Sequence, residues 1–470
     1  TVSGELVFVG TDLDQEVQWV IRQEDGSLTP IALGYKAPET DDLGQSVVPG
    51  ALVTIPCYID ALGVCNPVPG YSTVVLSAQP LLLPNTERII QRRLVIIVDY
   101  SSCGFPPSYN ESVVRSQFLG PNGDGSGGVA KQFTQCSYGR FNVNPAALKV
   151  ITVKRNCPVE ATLKSCAVLL LTNDVDNGAK EMLGNAAFAG FTHKTYILPF
   201  GLTMYCSWAG LALLPGTQSW VMSTGYGLER VATIMQEIVH NYGLRHSWRN
   251  DWEYADYSTF MGRGDVCLNA PELAYLGWAT PAPGGDHIDS EVLPVGTSIT
   301  FSLPATYLSS NGSYLRVIPD WLPSYNNISS GKNLYISVRV DKDGDALLQP
   351  VFANKVNVHE LNASLDNNIL AQPLVDRKIQ FITAIPPVSQ SILTTYKVVV
   401  YGGSWVGDKD VLRVHLCRYE SSPKECPSLN ALELLPSPPS PLKPPPASPR
   451  RPSSPRPQPI RASPSRSPPP

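Results

Sequence analysis

Apolar residues fall along this chain in short runs separated by Gly, Pro, Asn and Asp, the pattern of many strands and few helices. Residues 4–9, 18–21 and 73–77 read as strands of alternating or apolar character. Residues 94–99 form a short apolar, β-branched run ending in Asp99, as in a strand buried on both faces of a parallel or mixed sheet. Residues 141–143 and 148–153 read as strands, and the apolar run 167–172 as another buried one. The glycine-rich stretch 120–128 reads as a loop and 129–135 as the start of a helix. Residues 228–235 are good helix formers without Gly or Pro, so a helix is expected there. Beyond residue 285 the pattern changes to six strand-like runs, 298–302, 314–318, 334–340, 379–383, 396–401 and 411–416, which predict an antiparallel β-sandwich.

These patterns divide the chain into four segments. Residues 1–93 form a β-rich, propeptide-like segment ending in the dibasic pair Arg92–Arg93, a candidate processing site. Residues 94–285 carry mixed strands and helices, 286–420 the sandwich-like accessory segment, and 421–470 a Ser/Pro-rich tail. The expected class is α+β, with a mixed sheet and one functionally important helix. From 436 onward the tail has 16 prolines in 35 positions, which cannot pack a core and predict extended, disordered polyproline II. Its serine–proline blocks resemble the hydroxyproline-rich glycoproteins of algal and plant walls.

Charge and cysteine content narrow the compartment. The net charge of −4 argues against a nucleic-acid partner, and no apolar run is long enough to span a membrane. Ten cysteines without a C-x-x-C pair favour disulfides in an oxidising compartment. Cys57 and Cys65 are close enough in sequence to close a small loop, and the alternative is that one of them is an inhibitory thiolate. Four sequons, at Asn110, Asn311, Asn327 and Asn362, are candidate glycosylation sites and point the same way, toward secretion. The chain starts at Thr1 without a basic-then-apolar leader, which reads as a processed or truncated start.

The chemistry concentrates in residues 236–246, where Gln236, Glu237, His240, Gly243 and His246 differ at one position from the extended zinc-protease signature H-E-x-x-H-x-x-G-x-x-H. Gln236 and His240, four apart, share one helix face. Gly243 ends the helix through a left-handed turn and brings His246 back as a third donor. Two donors on a helix, one beyond a turn and one open position describe a catalytic metal site, with Glu237 as general base. Met261 stands where a methionine turn would form an apolar floor.

On these residues, and most strongly between about 94 and 278, the chain resembles the gametolysin family, secreted metzincin metalloproteases of volvocine algae. The resemblance implies a metzincin-like catalytic domain. It assigns Gln236, His240 and His246 as metal ligands, Glu237 as the base and Met261 as the turn residue. It implies zinc as the cofactor, with copper or another divalent metal open because an amide oxygen replaces an imidazole. Arg263 stands two residues after Met261, where some metzincins place a tyrosine ligand, so no fifth ligand is expected. The implied function is hydrolysis of peptide bonds in proline-rich glycoproteins of the extracellular matrix or cell wall. The alternative is a catalytically decayed matrix glycoprotein with an adhesive or structural role.

Overall fold

The computed structural model describes residues 1–10, 18–79, 86–157, 160–328, 330–368, 375–408 and 410–434. The proline-rich tail from 436 and its expected disorder therefore lie outside the described residues. The described residues belong to one compact unit.

A ten-stranded mixed sheet organises the first part. Its main path runs Lys149–Lys154, Arg93–Asp99, His193–Leu198, Gln218–Met222, Gly210–Leu214, Val2–Gly10, Gln18–Arg22 and Leu28–Pro30. The first four strands are parallel, and Gly210–Leu214 runs antiparallel to Gln218–Met222. The continuous apolar run after Arg93 is explained by burial on both faces. Val95 and Ile97 join a core with the helices Glu111–Leu119, Gly128–Cys136 and Val231–His240. Leu94, Ile96 and Val98 join a second core on the other face, with the helix Val168–Leu183.

Residues 167–172, expected as a strand, begin that helix. A short apolar run fits a buried strand or a buried helix equally well. Here the period continues beyond it, since Val175, Asp176 and Ala179 are also buried, so one helical face covers the sheet.

The N-terminal strand belongs to the same sheet. Val2–Gly10 pairs antiparallel with Gly210–Leu214, placing Phe8 opposite Leu214 and Gly10 opposite Ala212. Val7, Val9, Val20 and Leu28 are part of the second core. The side chain of Asn173 bonds both the N–H and the carbonyl of Leu28. Arg93, half of the dibasic pair, is fully buried, its guanidinium donating to Gln91 and Thr195.

The later part contains all six expected strands and two more, Lys355–Asn362 and Ser389–Leu393. The first of these alternates only briefly, through Val356 and Val358, before Glu360 breaks the period, too short a signal to stand out in the sequence. The strands form a four-stranded antiparallel sheet and a six-stranded one, sharing a single core. The six-stranded sheet also takes in Trp248–Arg249 and Trp252–Glu253, from just beyond His246. Trp248 lies parallel and opposite to Gln380, and Arg249 to Phe381. The whole architecture is mixed α/β, with many strands and few helices.

All ten cysteines pair, as Cys57–Cys65, Cys103–Cys157, Cys136–Cys267, Cys166–Cys206 and Cys417–Cys426. With Cys57 bonded to Cys65, neither is free as an inhibitory thiolate.

Candidate metal centre

The helix Val231–His240 carries the site because nearly every residue in it faces protein. Gln236, Glu237 and His240 are 4%, 1% and 2% exposed. The chain leaves the helix through Gly243, whose φ of 90° is the left-handed conformation expected of it. Its N–H donates to the His240 carbonyl at 2.9 Å, closing the turn. That turn brings the His240 and His246 rings together, with centroids 4.6 Å apart and planes nearly perpendicular.

Each imidazole is oriented through one nitrogen. Nδ1 of His240 lies 2.7 Å from the Leu244 carbonyl oxygen, which can only accept, so Nδ1 carries the proton. Nδ1 of His246 lies 2.8 Å from Glu253 Oε1, which fixes the same tautomer. Both Nε2 atoms then keep a lone pair, the arrangement that a carboxylate- or carbonyl-supported histidine ligand would need. Burial, and after it the neighbouring charges, holds His240 well below the usual histidine range. Burial and Arg245 push His246 down to about 3. Both rings are therefore neutral at physiological pH, as ligands must be.

Glu237 lies against the strand Gly210–Leu214. A Cβ on Gly210 would come within 2.6 Å of Glu237 Cγ, so only glycine lets the carboxylate occupy this place. Met261 is fully buried in the same core as Ile238 and Val239. Its carbonyl accepts the Ser247 N–H at 3.0 Å, tying Met261 to the residue after His246. Gln236 lines a cleft of about 1320 Å³, together with Ser207, Trp208 and Ala209, which precede the strand Gly210–Leu214, and with Tyr226, Tyr254, Tyr257 and Arg263.

The two neutral imidazoles are chemically suited to a divalent metal, and Gln236, one turn before His240 on the same helix, lines the adjoining cleft. Among the described residues, no cluster of three or more His, Cys, Asp or Glu side chains could hold a metal. A glutamine donor lies outside that set of residue types. The sequence reading missed Glu253 and Tyr254. Glu253 follows His246 at no motif spacing. Tyr254, at φ 62°, has its ring centroid 3.9 Å from that of His246. The sequons are spread over the surface. Asn110, Asn311 and Asn327 are exposed, whereas Asn362 is half-buried and donates from Nδ2 to the Ile328 carbonyl.

Comparison with known proteins gives the family. Residues 92–395, well over half of the chain, match the gametolysin peptidase M11 family, and the chain belongs to that family. The expectation of a gametolysin-like peptidase is thereby met. The chain is also 31% identical over 143 residues to autolysin of Chlamydomonas reinhardtii. That match covers 28% of this chain and only 22% of the relative. Crystal structures of wild-type OgpA from Akkermansia muciniphila, 12% and 13% identical, cover 65% of the chain and 95% and 96% of their own. Their TM-score of 0.27 is too low to support an argument about fold or function.

Proposed function

We propose that the protein is a secreted, metal-dependent endopeptidase that cleaves proline-rich glycoproteins of the extracellular matrix or cell wall. The observation that carries the proposal is the pair of neighbouring imidazoles, each with Nδ1 engaged, His240 at the end of the helix that bears Glu237 and Gln236 and His246 just beyond the Gly243 turn. Family membership supports peptide hydrolysis, and the name of the autolysin relative supports a wall substrate. Five disulfides and four sequons support secretion. No helix among the described residues is long and apolar enough to cross a membrane.

Gln236, His240 and His246 would hold the metal, with zinc the first candidate and copper or another divalent ion the alternatives. When bound, such an ion polarises the scissile carbonyl and acidifies water. The chain's own residues do the rest. The cleft admits an extended peptide along the rim at 207–209. Glu237 takes the proton of the attacking water and delivers it to the leaving amine nitrogen. Met261 closes the floor beneath the imidazoles, and burial excludes bulk water. Residues 94–285 supply the donors and base, 286–420 an accessory sheet, and 421–470 a wall-associating stalk. A synthetic proline-rich wall peptide should be cut by the wild-type chain and left intact by Glu237→Ala. Equal cleavage by both would reject the assigned base, and cleavage by neither would favour the adhesive matrix role.

A further inference from the structure

The loop that carries His246 has little regular structure of its own, and its polar groups are satisfied from far along the chain. Trp248 pairs with the accessory sheet, and Ser247, before it, bonds within its own loop and lies 3.4 Å from the Ile379 carbonyl. The Trp248 N–H donates to the Ile379 carbonyl at 2.8 Å, and Ser247 Oγ donates to Asp256 Oδ2 at 2.8 Å. That same carboxylate oxygen is 3.2 Å from Nε2 of His359, on the strand Lys355–Asn362. Nε2 of His359 also lies 3.2 Å from Ser258 Oγ, in the methionine turn. Asn269 Nδ2 completes the set at 3.3 Å from Asp256 Oδ2. Asp256, Ser247, Ser258, Asn269 and His359 are all 0% exposed.

His359 sits where the pairing with Gln380–Ile385 slips register, and such an irregularity re-aims a side chain. Its ring packs edge-on against Phe381, which fixes its direction. Burial alone would raise the Asp256 carboxyl, but hydrogen bonds from His359 and Ser258 outweigh it, and the group is lowered. A buried carboxylate of this kind holds its partners in one arrangement, because no water can replace a lost donor.

We propose that His359 is a positioning residue for the metal centre, acting through Asp256 and Ser247 on the placement of His246. The accessory sheet is then a working part of the site. This inference rests on the metal-binding reading above. It also accounts for a family match that runs through both segments, to residue 395.

The test compares metal affinity with stability in the full chain. Apo protein is titrated with zinc against a competing chelator, well below its melting temperature, for wild type, His359→Gln, His359→Leu and Val356→Ala. Val356 is a buried residue of the same strand whose side chain belongs to the sandwich core. His359→Leu should weaken zinc binding on the order of tenfold. His359→Gln, which retains a donor, should recover part of that loss, while Val356→Ala should lower the melting temperature and leave affinity unchanged. If His359→Leu does not fold, a loss of affinity in His359→Gln beyond that in Val356→Ala supports the proposal. Equal affinity in wild type and His359→Gln, or equal losses in the 359 and 356 variants, overturns it while leaving the metal reading intact. A wild-type chain that binds no divalent metal defeats both.

Discussion

The two histidines of the site are held in opposite ways. His240 lies at the end of a helix, and its Nδ1 partner is the carbonyl only four residues on. His246 lies in an irregular loop, supported by Glu253 and by a network reaching Asp256, His359 and Ile379. The helix half of the site is thus nearly self-contained, whereas the loop half depends on strands more than a hundred residues away. The position of one imidazole follows from local helix geometry, and that of the other from tertiary packing, so damage should spread differently from the two sides.

The largest expected effect tests the helix half. Glu237→Ala should reduce turnover on the order of 10²–10⁴-fold. It should leave metal content unchanged, since Glu237 is not a donor; steady-state kinetics with metal analysis read both. Second comes the loop half. Glu253→Ala should weaken metal binding about 10–100-fold by releasing the His246 ring, measured by chelator competition. Loss of activity with unaltered affinity would remove Glu253 from this role.

The hinge between the halves is Gly243. Gly243→Ala forces a side chain into the left-handed region and should cost about 1–2 kcal/mol of stability, read from denaturant unfolding. An unchanged midpoint would mean that the turn relaxes freely.

The smallest effect concerns the support beneath the loop. Burial, reinforced by the nearby Asp256 charge, pushes Glu272 up to about 8 despite its bonds from Thr259 and Asn269. A raised folded-state pKa favours folding below the ordinary carboxylate range, and that contribution is lost as pH rises through about 8. The melting temperature should therefore fall across this window, and Glu272→Gln should flatten the fall. An identical pH profile in the variant would contradict the assignment.

The same division decides what the sequence made legible. Gln236, Glu237, His240 and Gly243 were readable because helix periodicity and a glycine stop are local signals, and His246 because its spacing belongs to the same motif. Glu253, Tyr254 and Asp256 carry no spacing signal, since their roles arise only when the loop folds back. His359 lay on a strand that was itself missed, because its alternation spans only Val356 and Val358 before Glu360 breaks the period. The 167–172 run was read as a strand because six apolar residues carry too little period to settle the question. The strands of the sandwich, alternating and bounded by turns, were mostly plain.

The central claim is that one divalent ion is held by Gln236, His240 and His246 and is required for hydrolysis. Metal content of the purified chain, measured alongside peptide cleavage before chelation, after it and after zinc is restored, tests this most directly. The account predicts close to one bound ion per chain, with activity lost on chelation and regained on repletion. Undiminished cleavage by fully metal-free protein would contradict it.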